Sequence, residues 1–304
     1  MSDTDTDRPL LALALRLAGI AGFAVMAVFI KLAAESGVHI LEIIFWRQLV
    51  SVPIIAGWAM LAGGLHLLKT ERPRAHAVRA GYGFVGMILN FGGVILLPLA
   101  EATTLTFSAP IFAVVLSTIL LKETVGTWRW SAVAAGFAGI VIIAQPGGGD
   151  LPLQGAMVAL GGAFMIALIS IQVRDLSRTD DPKVIVFWFA VTSTIITAPA
   201  LFFVHERLSV EQGLYLLGIG LSGTWGQVLI TQALRFGQVS TVIVMDYSNL
   251  IYAAILGWLV FSTIPPASTW LGAPLVIGAG IIIAWRERVL ARHRFADQRQ
   301  SIGT

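Results

Sequence analysis

Long apolar runs, bounded by clusters of charge, glycine or proline, set the pattern of this chain. Ten can be marked, at 10–34, 40–63, 77–97, 99–121, 128–145, 153–173, 183–204, 213–234, 237–262 and 268–286. A hydrocarbon core about 30 Å thick takes roughly 20 helical residues to cross, and these runs have that length. Strands of a membrane barrel would alternate apolar and polar residues over segments of about ten, whereas these runs are apolar all round. The pattern therefore predicts an all-α integral membrane protein with ten transmembrane helices.

Composition agrees and removes other classes. Of 304 residues, 57% are hydrophobic and 12% charged, against roughly 25% charged in an ordinary globular domain. Ten spans leave only short loops and tails, with no room for a separate soluble domain. The chain has no cysteine, which excludes disulfides and thiolate chemistry. A net charge of +3 is no nucleic-acid signature. Asp3, Asp5 and Asp7 make the leading segment acidic, where a signal peptide is basic.

The distribution of cations says more than their sum. Seventeen of the 20 Lys and Arg residues, Arg16 and Arg79 among them, fall in loops and tails on one side of the ten-span arrangement; Arg207 alone falls on the other. Basic loops face the cytoplasm. The expectation is a multi-pass protein of the cell (inner) membrane with both termini cytoplasmic, which requires an even number of spans.

The two halves repeat one another. Gly81-Tyr82-Gly83-Phe84-Val85-Gly86 in the third span returns as Gly218-Ile219-Gly220-Leu221-Ser222-Gly223 in the eighth. At the same offset Asn90 matches Gln227, and Ala102-Thr103-Thr104 matches Val239-Ser240-Thr241; Phe45-Trp46 recurs as Phe187-Trp188. Residues 1–147 and 148–304 read as two five-helix units, joined near Gly147–Gly149. An odd number of spans per unit makes the copies run in opposite senses, an inverted repeat whose site lies near the midplane between the halves. The glycine motif would suggest a dinucleotide fingerprint only after a strand and at a helix start. Inside an apolar span its reading is close helix packing, or mirrored bending points during gating.

Several motifs, in order, carry a resemblance. Phe29-Ile30-Lys31 closes the first span, and Glu42 with Phe45-Trp46-Arg47 opens the second. Leu97-Pro98-Leu99-Ala100-Glu101-Ala102-Thr103 leads into Ser108-Ala109-Pro110, the fourth span closes on Lys122-Glu123, and Asp246-Tyr247-Ser248 and Gly257-Trp258 follow in the second half. With the duplication, the chain resembles the drug/metabolite transporter superfamily, EamA-type. One departure is Thr263, which stands where the second copy often has an acid matching Glu123. The resemblance implies a secondary transporter that works by alternating access, foremost an amino-acid exporter. Its alternative is uptake or exchange of a vitamin or nucleoside-like metabolite of riboflavin or S-adenosylmethionine type. A channel and a membrane-embedded transferase are the competing classes.

Candidate site residues come from polarity inside the spans. A charge at the bilayer centre costs at least ~2.5–3.5 kcal/mol, so it is usually paired or lines a cavity. Lys31 either snorkels at the outer end of the first span or meets a solute. Glu42 and Arg47 are five residues apart, poorly spaced to pair on one helix face, so Arg47 reaches another span or a solute carboxylate. Asp246 is the deepest acid; it either pairs statically with Arg47 or Lys31, or changes protonation during transport, with the proton as candidate coupling ion. Glu101 sits at the outer mouth, where it can be merely solvated. Thr104, Ser108, Tyr247 and Asn249 in the fourth and ninth spans, and mirrored Asn90 and Gln227, are expected to line one central cavity within spans one to four and six to nine. Spans five and ten are then peripheral. Tyr82, Trp46, Trp188, Trp225 and Tyr247 could give a solute flat walls. Pro110 would break the fourth span near its middle. Asp180-Asp181 reads as a solvated cap before span seven. The histidines fall in or near loops, none placeable in a buried cluster. There is no metalloprotease HExxH, P-loop or nucleophile elbow, and no metal or cofactor is implied. The partners expected are a small-molecule solute and the lipid bilayer.

Overall fold

The computed structural model describes residues 9–120, 126–145, 151–176, 179–204, 207–236 and 245–302. The expected join at Gly147–Gly149, the pair Lys122-Glu123 and residues 237–244 of the ninth span lie outside these. Eleven helices are described: α1 (Pro9–Glu35), α2 (Ile40–Leu61), α3 (Pro73–Leu96), α4 (Leu99–Thr106), α5 (Ala109–Leu120), α6 (Thr127–Ala144), α7 (Leu153–Leu176), α8 (Pro182–Val204), α9 (Val210–Phe236), α10 (Asn249–Phe261) and α11 (Ala267–Ile302). There is no strand among the described residues.

Eight stretches are long and apolar enough to cross a membrane, with α4 and α5 together making one of them; the shorter apolar stretches Trp130–Ala144 and Met245–Phe261 complete the ten expected spans. Their outward faces carry large apolar side chains. Phe202 and Phe203 are 91% exposed and Ile195 is 64% exposed. A water-soluble monomer does not expose an apolar belt of this kind; lipid covers it.

The fourth span is broken, although not at Pro110. α4 ends at Thr106, and the Phe107 N–H closes on the carbonyls of Thr103 and Thr104. The Ser108 hydroxyl donates to Leu105 O at 2.6 Å. Pro110 is the second residue of α5, in the first turn, where its missing N–H leaves no helical bond unmade. The proline starts a helix instead of interrupting one. The ninth span mirrors the break with a tight turn at Met245–Ser248 ahead of α10. The two breaks meet, with the rings of Phe107 and Tyr247 edge-to-face at 5.1 Å.

The helices pair across the halves. α1 packs most on α9, α3 on α7, α2 on α8, α6 on α11 and α4 on α10. The α1–α9 and α3–α7 contacts exchange first and third members of the two units, as a two-fold relation between inverted repeats requires. In lipid, apolar burial gives helices little reason to associate, so close backbone approach has to supply the attraction. Glycine permits that approach. A Cβ on Gly22 would stand 3.2 Å from Gly226 Cα, and one on Gly162 would stand 3.1 Å from Asn90 Cα. In the repeated motifs, Gly83 faces Phe189, Gly86 faces Ile169, Gly218 faces Phe29 and Gly220 faces Val50, so most of these glycines sit against neighbouring helices. α6 and α11 pack on each other through Gly139 and Gly272.

On the face carrying the α2–α3 and α7–α8 connections, a polar latch corrects two expectations. His76, 1% exposed, lies 2.6 Å through Nε2 from Asp180 Oδ2, and the Thr70 hydroxyl donates to the same oxygen at 2.6 Å. Asp180 is thus a half-buried, hydrogen-bonded anchor rather than a solvated cap, and His76 is buried beside it. They face each other because both connections cross at one place, which sequence spacing does not reveal. Burial works to raise the Asp180 carboxyl, yet hydrogen bonds from His76 and Thr70 hold it below its ordinary value. Its contribution to stability is present above the ordinary carboxylate range and disappears only as pH falls through the depressed value. Arg72 adds an exposed pair with Asp175 at 2.8 Å. The Trp188 indole donates to Leu68 O at 2.9 Å, so Trp188 serves this latch and is no solute wall.

Candidate substrate cavity

One large cavity, of about 780 Å³, is lined by α1, α2, α8 and α9, with Arg79 of α3 at its edge. Its lining runs from Arg47 in α2 down to Trp58, three residues before that helix ends, and from Gly223 in α9 to Gln232. The cavity therefore occupies the half of the bundle nearest the latch. At the opposite face the helices are tied together. Lys31 Nζ donates to Leu97 O at 2.7 Å, Gln212 donates to Ser36 O at 2.8 Å, and Thr269 donates to Glu101 at 3.1 Å.

Arg47 is a sequence candidate that lines this cavity, at its deep end. Its Nη1 donates to Gln48 Oε1 at 2.5 Å, and its other neighbours are soft: Met26 Sδ at 3.4 Å from Nε, Met87 Sδ at 3.9 Å, and the Phe91 ring at 5.9 Å. Trp225 and Gln227 join it in the lining. Arg79 reads in the sequence as a loop residue, but α3 begins at Pro73, and Arg79 lies over the Phe189 ring at 4.0 Å. Its Nε and Nη1 are buried without a hydrogen-bond partner. Among the described residues, no carboxylate lies within ion-pair distance of Arg47 or Arg79. Gln48, 1% exposed, was also missed, because an amide inside a span attracts less notice than a charge.

The other candidates are placed elsewhere. Lys31 is spent on Leu97 O and lies 5.5 Å from the Phe261 ring, at the closed end. Glu42 is buried in the first turn of α2, outside the lining. Tyr82 is 39% exposed and outside the lining. Asn90 is held at the α3–α7 crossing against Gly162. Thr104 and Ser108 donate to Ala100 O and Leu105 O within their own span, as hydroxyls in apolar helices commonly do. Tyr247 packs against Phe107, and Asn249 starts α10 with its Oδ1 buried and unpartnered. Glu101 is 1% exposed, not solvated. The expected single basket lined also by spans four, six and nine is thus narrower. The two broken spans pack on each other, the fourth also on α7 and the ninth on α1, and the Thr104 and Ser108 hydroxyls are spent on carbonyls of their own span.

Asp246 has a partner that neither sequence reading named. Arg16 Nε and Nη2 grip both of its carboxylate oxygens, at 2.7 and 2.6 Å. Arg16 had been assigned to the flank of the first span, but α1 starts at Pro9 and buries it to 6% exposure. Asp246→Asn is expected to strand this guanidinium. Complete burial would make the loss about 3–5 kcal/mol; with the Asp246 side chain 39% exposed, about 2 kcal/mol is expected after screening. Thermal unfolding of the purified variant measures it, and Arg16→Met combined with Asp246→Leu should recover most of the loss. Wild-type stability of Asp246→Asn would refute a structural pair.

Comparison with known proteins now bears on this geometry. The sequence profile of the EamA-like transporter family matches residues 10–145 and, a second time, 153–285. The chain belongs to the EamA-like transporter family. This EamA-like protein is 27% identical to the riboflavin transporter of Vibrio cholerae, over 93% of this chain and 96% of that one. It is 26% identical to the S-adenosylmethionine uptake transporter of Rickettsia bellii, over 82% and 85% of the two chains. It is 28% identical to the pseudopaline exporter of Pseudomonas aeruginosa, over 86% and 92%. A solved crystal structure aligns with a TM-score of 0.57 at 19% identity, covering 90% of this chain and 98% of that one, which supports the fold. The family and these relatives are small-molecule transporters, and the protein is a multi-pass membrane protein of that class.

Proposed function

We propose that this EamA-like protein is a secondary transporter that exports a carboxylate-bearing metabolite, amino acids included, by alternating access through the cavity at Arg47. The carrying observation is a cavity that reaches one face of the bundle while Lys31–Leu97 and Gln212–Ser36 tie the other. In an inverted repeat, rocking one unit against the other exchanges the open and tied ends; the units are residues 1–147 and 148–304. Arg47 offers a planar, permanently charged fork suited to a carboxylate. By the positive-inside rule, the face of the latch is cytoplasmic, as are both termini, in the cell (inner) membrane. A proton is the candidate coupling ion.

Uptake or exchange of a vitamin or nucleoside-like solute is the second reading, favoured by the similarity to the riboflavin and S-adenosylmethionine transporters. The test is flux in proteoliposomes preloaded with amino acids, dicarboxylates or riboflavin, with and without a pH gradient. Saturable uptake stimulated by solute on the opposite side is the expected result. Flux without trans-stimulation would indicate a channel and end the proposal.

A further inference from the structure

We infer that the transported solute is an organic dianion, its two negative charges supplied by two carboxylates or one phosphate and held between Arg47 and Arg79. This rests on the transport reading and narrows it.

Charge balance is the first ground. The described lining holds two arginines and no Asp or Glu. A cation inside a span costs at least ~2.5–3.5 kcal/mol unless it is paired or hydrated, and two like charges in one cavity repel. Elsewhere the fold neutralises its inward cation locally, as Arg16 with Asp246 demonstrates. At the cavity it does not. The missing countercharge has to come from what enters.

Hydrogen-bonding capacity is an independent ground. The buried, unpartnered polar atoms of lining residues are Arg79 Nε, Arg79 Nη1 and Gln48 Nε2, and all three are donors. The acceptors in the described lining are all neutral, the hydroxyls of Ser51, Ser222, Thr224 and Thr231 and the amides of Gln48, Gln227 and Gln232, and the Gln48 carbonyl already accepts from Arg47. A ligand ammonium would meet guanidiniums and find no acid. A carboxylate or phosphate would satisfy the waiting donors through charge-assisted bonds, the stronger kind.

Depth and shape complete the picture. Arg79 follows six residues after the start of α3, and Arg47 stands fourteen before the end of α2. At ~1.5 Å per residue these are about 9 Å and 21 Å of helix from the latch face. Arg79 is thus the cation nearer the mouth and Arg47 the deeper one, so an anion can be captured by one and drawn to the other. Trp58, Phe189 and Trp225 give the lining an aromatic wall, suited to an apolar or flat body between or beside the charges.

Trp58 and Trp225 also provide a probe. Purified protein is titrated with glutarate, adenosine monophosphate, leucine or choline while tryptophan fluorescence and thermal unfolding are followed. A saturable response to glutarate or adenosine monophosphate is expected. It should weaken at least tenfold in Arg79→Gln, and Arg79→Lys should restore part of it. A response to glutarate alone or to adenosine monophosphate alone assigns the anionic group. No response to either, an unchanged response in folded Arg79→Gln, or tighter binding of leucine or choline overturns the inference. The same four compounds are then tested for counterflow in proteoliposomes. Counterflow of leucine without either dianion leaves the transport reading standing and removes the dianion. Dianion binding without counterflow of any compound does the reverse.

Discussion

Arg47→Gln is expected to abolish measurable solute exchange while the protein remains folded in the membrane. A hydrogen bond to a charged group is worth about 1.5–3 kcal/mol, so losing this guanidinium from a bound carboxylate should weaken binding roughly ten- to 150-fold, and more if both of its edges engage. Folding should survive because no acid is left behind: the neighbours of Arg47 are an amide, two thioethers and an aromatic ring. Removing an uncompensated charge from that setting relieves the fold. Arg47→Lys keeps the charge but loses the fork and should be intermediate. Counterflow in vesicles and thermal unfolding in detergent, measured together, decide the matter. Normal exchange by Arg47→Gln would end the role assigned to Arg47, and a large fall in unfolding temperature would make it a structural residue.

Gly226→Ala in α9 is expected to be strongly destabilising. The new Cβ would stand 2.8 Å from Gly19 O and 3.3 Å from Phe23 N. Both are backbone atoms of α1, which cannot rotate away as a side chain can. Overpacking of this kind costs about 1–3 kcal/mol or more, and here it pries apart two helices that line the cavity. Gly213→Ala in the same helix is the control, since a Cβ there meets nothing within 4 Å. Glycine-to-alanine in an open helical position is favourable by up to ~1 kcal/mol, so Gly213→Ala should be neutral or slightly stabilised. Equal unfolding temperatures for the two variants would show that the α1–α9 crossing does not depend on its glycines.

The latch joins the α2–α3 and α7–α8 connections, and the Arg16–Asp246 pair joins α1 to the turn ahead of α10. Because the Asp180 carboxyl is held below the ordinary range, it stays ionised through the neutral and mildly acidic pH of a flux assay. Any pH dependence of transport there has to arise at another group.

By itself the sequence determined that the chain lives in lipid, that it is built of ten apolar spans, and that its halves repeat in opposite senses. It also determined the family. These follow from properties summed along the chain: span length against bilayer thickness, the side on which cations fall, and glycines recurring at one offset. It brought out Arg47 too, because a cation inside an apolar run needs a reason. Tertiary structure decided which polar groups keep company. Asp246 is legible as a buried acid, but its partner Arg16 lies far away in sequence and looked like part of the flank, since helix ends are blurred by a turn or two where charge and apolar residues mix. Arg79 was hidden in the same way, two residues past the start of its apolar run at 77 but six past the start of α3 at Pro73. The hydroxyls of Thr104 and Ser108 resemble cavity lining in one dimension. They are spent on backbone carbonyls three and four residues back in their own span, and only the packing of the helices determines that no cavity lies beside them. Polarity within a span reveals that a group must be satisfied; whether a neighbouring helix or a solute satisfies it depends on how the helices cross.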